Sequence, residues 1–151
     1  MEDFVVRLAR TDERDAVTAC VNGAYAKYIP RIGREPAPMH ADYKSLIAGG
    51  VVSVIADAMN IFSVVVGYPT SDHYFLENVA VNAAYQGHGF GRVLMAFVEQ
   101  SSRMDGFHEI RLYTNELMTE NLAYYGKLGF EEVDRRVENG FRRVFMRKVL
   151  S

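Results

Sequence analysis

The stretch Tyr85-Gln86-Gly87-His88-Gly89-Phe90-Gly91-Arg92 constrains this chain more than any other. It follows an apolar run, Phe75 to Val81, that reads as a strand, and it opens a helical run, Val93 to Met104. Glycines at alternate positions leave backbone N–H groups uncovered, so a ligand can approach them closely. The same groups stand at a helix start, where they have no intrahelical partner and the dipole is positive. A strand, a glycine loop and a helix N-terminus together make a cradle for an anion, most often phosphate. The plain alternative is a tight strand-to-helix turn that binds nothing.

Two familiar readings of such a loop fail. The dinucleotide fingerprint Gly-x-Gly-x-x-Gly would need a third glycine where Arg92 stands, and it belongs near the start of a βαβ unit. The nucleotide-triphosphate loop ends in Gly-Lys-Ser/Thr, whereas Gly91 is followed by Arg92 and Val93.

A length of 151 residues suits a single domain, 1–151, with a real core, and an apolar fraction of 49% argues against disorder. A net charge of −2 recruits neither nucleic acid nor membrane by electrostatics alone. The one cysteine, Cys20, excludes an internal disulfide and falls on the apolar stripe of a predicted helix, so it reads as packing. No basic-then-apolar leader opens the chain and no apolar run approaches the ~20 residues of a membrane span, so a soluble cytoplasmic protein is expected. His40, His73, His88 and His108 have no metal-ligand spacing, and no Gly-x-Ser-x-Gly elbow is present. No metal is expected.

In chain order, Phe4 to Ala9 alternates as a first strand. Thr11 offers an N-cap to a helix whose stripe is Val17, Cys20, Val21, Ala24, Tyr25 and Tyr28, ended by Pro30. Arg31 to Met39 is a loop, and Asp42 to Ala48 a short helix stopped by Gly49-Gly50. Val51–Ala56 and Ile61–Val66 read as a hairpin, and 67–72 as a turn-rich loop. Tyr74 to Val81 is the strand feeding the glycines, with Glu77, Val79 and Val81 on one face and Leu76, Asn78 and Ala80 on the other. After the glycines, Val93, Leu94, Phe97 and Val98 form a helical stripe, and Glu109–Thr114 is a strand. Leu117–Leu128 is a helix ended by Gly129, and Phe130–Val137 and Phe141–Val149 are strands joined by the hairpin signal Asn139-Gly140. The order gives a mixed α/β fold with antiparallel hairpins outside a central parallel step.

Gln86-Gly87-His88-Gly89-Phe90-Gly91 resembles the Gln/Arg-x-x-Gly-x-Gly/Ala signature of the GNAT superfamily of N-acetyltransferases at every fixed position. Tyr125-Gly126-Lys127-Leu128-Gly129-Phe130 is similar to the tail of a second family pattern, Asn-x-x-Ala-x-x-x-Tyr-x-x-x-Gly-Phe. Met118 stands where that pattern has asparagine and Asn121 where it has alanine; Asn121, one turn before Tyr125, is placed to supply an amide instead. The resemblance covers nearly the whole chain in element order. It implies the acyl-CoA N-acyltransferase fold, a mixed sheet of about seven strands flanked by about four helices. It implies acetyl-CoA as acetyl donor, with its pyrophosphate on Gln86, Gly87, His88, Gly89, Phe90, Gly91 and Arg92. It further implies that the strand backbone at Val79, Ala80 and Val81 pairs with the pantetheine arm, and that the Val79 N–H serves as oxyanion donor.

Transfer to an amine sets its own requirements. An alkyl ammonium near pKa ~10 leaves only about one molecule in a thousand reactive at neutral pH, so a base helps. Glu77, the one acid on its predicted strand, is the candidate, directly or through water; a structural carboxylate is the competing reading. Tyr125 would face the leaving thiolate. A phenol near ~10 against a thiol near ~8.5 makes full proton transfer uphill by about 2 kcal/mol, so Tyr125 is expected to donate a hydrogen bond. Because the family's acceptor site borders the segment after the first helix, Arg31 and Arg34 are candidates to face an acidic group on the acceptor. Small amines, amino acids, antibiotics and protein N-termini all fit as acceptors, and a homodimer is admitted. Two other functions compete: a non-catalytic acyl-CoA-binding or sensing module, and an interaction protein using Arg135, Arg136, Arg142, Arg143 and Arg147 on an acidic partner.

Overall fold

The computed structural model describes residues 4–151. Seven strands form one mixed sheet in the order β1-β2-β3-β4-β5-β7-β6. They are β1 (Arg7–Leu8), β2 (Val52–Ala56), β3 (Ile61–Pro69), β4 (Tyr74–Val81), β5 (Glu109–Asn115), β6 (Glu131–Glu138) and β7 (Phe141–Val149). The helices are α1 (Arg14–Tyr25), the single turn α2 (Ile29–Ile32), α3 (Tyr43–Ala48), α4 (Phe90–Met104) and α5 (Thr119–Lys127). The β4–β5 step is parallel, with Tyr74 opposite Ile110 and Phe75 opposite Arg111, while β1–β2, β2–β3, β5–β7 and β6–β7 are antiparallel. The chain gathers into two compact units. One runs to Gly67 and includes Asn78–Val98; the other comprises Tyr68–Glu77 and Glu99–Ser151.

In the first unit, Val17, Cys20, Val21 and Tyr25 of α1 are buried, as their three- and four-residue spacing requires. Burial pushes the Cys20 thiol up to about 12, which makes it an inert core residue. Three details differ from the sequence reading. The first strand is limited to Arg7 and Leu8, with the Ala9 N–H adding a bond to the Val52 carbonyl at 2.9 Å, and Phe4 packs its ring on Phe62 and Phe90. Thr11 does not cap α1: a 3-10 turn, Thr11–Glu13, precedes the helix with Arg10 at its N-cap, and Glu13 bonds back to the Arg10 N–H at 2.8 Å. Pro30 does not end the helix. The chain tightens into a 3-10 turn at Ala26–Tyr28, Pro30 then sits in the first turn of α2 where its missing N–H costs nothing, and Gly33 at φ 89° stops it.

α4 follows the glycine loop. Its buried residues include Phe90, Leu94, Met95 and Val98, whereas Val93 and Phe97 are only half-buried. The buried stripe thus keeps Leu94 and Val98 of the expected one and takes Phe90 and Met95 in place of Val93 and Phe97.

In the second unit, β5 and β7 pair over their whole length, from Glu109↔Val149 to Asn115↔Arg143. The β6–β7 hairpin turns at Asn139 (φ 53°) and Gly140 (φ 78°), the left-handed pair that Asn-Gly favours. β6 is exposed at nearly every residue and lies at the end of the sheet, as its charged sequence suits. The arginines of these strands are held internally: Arg135 by Glu132 and Glu116, Arg136 by Asp134, Arg143 by Glu138, and Arg147 by Glu131. Arg143 also stacks 4.3 Å from the Tyr113 ring centroid. A bank so neutralised offers little field to an acidic partner.

Candidate active site

The last residues of β4 alternate as the period of two requires: Asn78 and Ala80 are buried, Val79 and Val81 half-buried. The Asn82 N–H donates to the Phe62 carbonyl at 2.8 Å, so even-numbered backbone groups of β4 face β3. The N–H and C=O groups of Val79 and Val81 therefore point away from β3. Asn82 then caps a 3-10 turn at Ala83–Tyr85 through the Ala84 N–H at 3.0 Å.

Gly87 and Gly89 both take φ 85°, a left-handed conformation that disfavours any side chain. A Cβ on Gly87 would meet nothing within 4 Å, so backbone conformation rather than crowding selects glycine there. The bond from the Val93 N–H to the Gly89 carbonyl, 3.2 Å, closes the first turn of α4. The N–H groups of Phe90, Gly91 and Arg92 precede it and lack intrahelical acceptors. Gln86, Gly87, His88 and Arg92 are exposed. The Phe90 ring is 5% exposed and stacks on Phe62 at 5.0 Å, with His88 layered at 6.1 Å from it. Phe90 and the buried Ala80 thus offer a ligand backbone only; the Phe90 ring is the anchor that holds the loop down.

In the second unit, Glu77 is half-buried and accepts a hydrogen bond from the Tyr68 hydroxyl at 3.2 Å. It makes no ion pair among the described residues. Burial, then the charge of Glu77 and this hydrogen bond, push Tyr68 up to about 12, so the phenol stays a donor at neutral pH. Tyr68 escaped the sequence reading because Gly67 and Pro69 read as a turn, whereas β3 continues through them. Its ring packs on Phe75 at 5.6 Å, and Phe75 on Tyr113 at 5.7 Å. Tyr125 is 7% exposed against Phe130 at 5.6 Å, while its neighbour Tyr124 is 38% exposed. Gly129 at φ 98° ends that segment, and the Phe130 N–H reaches back to the Tyr125 carbonyl at 3.0 Å.

A family model described as the acetyltransferase (GNAT) family matches residues 9–130. The chain belongs to the GNAT family. No curated protein sequence matches it. Among solved structures it is similar to the PaiA N-acetyltransferase of Thermoplasma acidophilum in complex with coenzyme A, with a TM-score of 0.81 at 14% identity over 98% of this chain and 99% of that one. The ribosomal-protein-S18-alanine N-acetyltransferase of Escherichia coli gives 0.77 at 18% identity over 99% and 95%. An N-acetyltransferase described as putative from Lactobacillus plantarum gives 0.72 at 21% over 99% and 98%. These likenesses establish the fold.

The departure of this GNAT chain from the helix pattern has a structural cause. Met118 is 4% exposed, and its sulfur lies 3.7 Å from the Thr114 hydroxyl and 3.6 Å from the Asn121 amide nitrogen. Met118 therefore fills core space. Asn121 is half-buried with its amide nitrogen turned to these two neighbours, which leaves its carbonyl oxygen without a partner among the described residues. Arg31 and Arg34 are exposed, and Arg31 lies over the Tyr28 ring at 5.2 Å. Among the described residues no group of three His, Cys, Asp or Glu could hold a metal.

Proposed function

We propose that this GNAT protein transfers the acetyl group of acetyl-CoA directly to a primary amine. The observation that carries the reading is the loop itself: Gly87 and Gly89 at φ 85°, followed by a helix of 15 residues whose first N–H groups precede its first intrahelical bond, from the Val93 N–H to the Gly89 carbonyl. That arrangement suits a pyrophosphate, and the coenzyme A complex of the Thermoplasma relative supports the same ligand. Bound there, acetyl-CoA supplies an activated thioester. Gln86 to Arg92 hold the phosphates, and the backbone of Val79 to Val81 lines up the pantetheine arm. The Val79 N–H is offered to the thioester oxygen. Glu77, without an ion pair among the described residues, takes the proton from the acceptor ammonium, directly or through water. Tyr125 donates to the departing sulfur, Asn121 offers its free carbonyl oxygen to the arm, and Arg31 and Arg34 face an acidic group on the acceptor.

Titration calorimetry of acetyl-CoA against wild type, Gly89→Val and Gly91→Val tests the cradle. Gly89→Val adds backbone strain to obstruction, whereas Gly91 is not among the positive-φ residues and reports obstruction alone. Each is expected to weaken binding by roughly tenfold, equivalent to about 1.4 kcal/mol. Unchanged affinity in both folded variants removes the cradle. A screen of amines that follows free thiol release then separates the enzyme from an acyl-CoA-binding module, which would bind and never release thiol.

A further inference from the structure

A chain of buried hydrogen bonds in the first unit has no part in the chemistry above. The Tyr25 hydroxyl donates to Asn78 Oδ1 at 2.8 Å and lies 3.1 Å from the Val79 carbonyl oxygen. Asn78 Nδ2 donates to the Tyr43 hydroxyl at 2.9 Å, and that hydroxyl donates to the Pro38 carbonyl at 2.6 Å. Tyr25, Asn78 and Tyr43 are 7%, 4% and 3% exposed. Every donor in the series points the same way, so each bond polarises the next.

The two ends of this relay are informative. One end lies against the carbonyl of Val79, which shares the single Tyr25 hydroxyl proton with Asn78 Oδ1 as the longer branch and whose N–H we assign to the thioester oxygen. The other grips Pro38, in the 3-10 turn Ala37–His40 that follows Arg31 and Arg34. Apolar side chains could fill the same space without the risk of orphaned polar groups. What apolar packing lacks is direction: a hydroxyl bonded at both ends fixes where a carbonyl sits. We propose that Tyr25, Asn78 and Tyr43 are positioning residues that hold the Ala37–His40 turn in register with the Val79 backbone, so that the acceptor meets the thioester in one geometry. The proposal rests on the acetyl-transfer reading for its substrate, and on the hydrogen bonds alone for its mechanics.

The test uses the full chain carrying Tyr43→Phe, with Tyr25→Phe as a second variant should the first not fold. Amide hydrogen exchange is read at Met39 and His40, and acceptor KM and kcat are read beside the calorimetric Kd of acetyl-CoA. Tyr43→Phe is expected to speed exchange in the turn and to raise acceptor KM by roughly tenfold, since small misplacements near the reacting atoms are costly. Acetyl-CoA affinity should stay within about twofold, a split that general loosening would not give. Unchanged exchange in the turn overturns the relay whatever the kinetics. Faster exchange with unchanged acceptor KM overturns the positioning role and leaves acetyl transfer standing. Loss of acetyl-CoA affinity in step with the rate also overturns it, as mere destabilisation. Failure of wild type to acetylate any amine would instead count against the proposed function, and the exchange data would still decide the relay.

Discussion

At the scale of single residues, variants of Glu77 and Tyr125 test the proposed enzyme against a passive binder. Glu77→Gln keeps an oxygen to accept from Tyr68, whose hydroxyl lies 3.2 Å away, so the fold should be preserved. Turnover should fall at neutral pH and recover as pH rises, because the amine then deprotonates unaided. A pH–rate profile checks this, and a deficit equal at every pH would mean that Glu77 only holds structure. Tyr125→Phe keeps the ring packed against Phe130 and removes one oxygen. If the hydroxyl acts as the C–S bond breaks, kcat should drop by roughly tenfold to a hundredfold with acetyl-CoA affinity constant, the worth of about 1.5–3 kcal/mol. Tyr124→Phe is the control, since its 38% exposed ring lies about 100° round the helix. A damaging Tyr124→Phe beside a silent Tyr125→Phe would reverse the assignment. The half-buried place of Glu77 on β4 was legible from strand alternation. Tyr68 was not, because its pairing with Glu77 depends on how far β3 extends.

At the scale of elements, the entry to α1 is held by an acid. Glu13 is 8% exposed and bonds to the Arg7 guanidinium at 2.8 and 2.9 Å and to the Arg10 N–H at 2.8 Å. The Arg7 hydrogen bond first, with the Arg10 N–H and both positive charges, outweighs burial and holds its carboxyl down at about 2, from an ordinary 4.5. A depressed acid stabilises the fold above its unfolded pKa and loses that contribution as pH falls through the folded one. Glu13→Gln should therefore cost about 1.5–3 kcal/mol at neutral pH. The difference from wild type should shrink as pH is lowered from 4.5 towards 2. Urea unfolding at several pH values measures it, and a pH-independent difference would point to packing instead. Helix starts and stops followed local rules at Asp42 and Gly129 but not at Thr11, which lies in a 3-10 turn ahead of α1. They failed at Pro30, where the same residue that breaks a helix interior is harmless in a first turn.

At the scale of the whole molecule, the sheet order turns on one choice: which strand of the final hairpin pairs with β5. β7 does so, with Val144 and Met146 buried, and β6 takes the edge. The signal was present in the sequence, since β6 carries charges at six of its eight positions, Glu131, Glu132, Asp134, Arg135, Arg136 and Glu138. β7 carries alternating apolar residues that can face a core. The register shift between Glu132 and Asp134 was not readable, because a bulge records how two strands accommodate each other rather than what either prefers.

The sequence by itself determined the glycine loop, the strand and helix around it, the Asn139-Gly140 hairpin and the faces of β4. Each of these is governed by backbone preference or by side-chain period among near neighbours. Only the tertiary structure decided that Met118 is core, that Phe90 anchors the loop with its ring, and that Tyr25, Asn78 and Tyr43 form one relay. The relay joins residues separated by 53 and 35 positions in the chain. Periodicity says that such residues are buried, but it says nothing of which buried polar group satisfies which. That pairing is set where distant elements meet, because a buried polar group must find its partner in whatever packs against it.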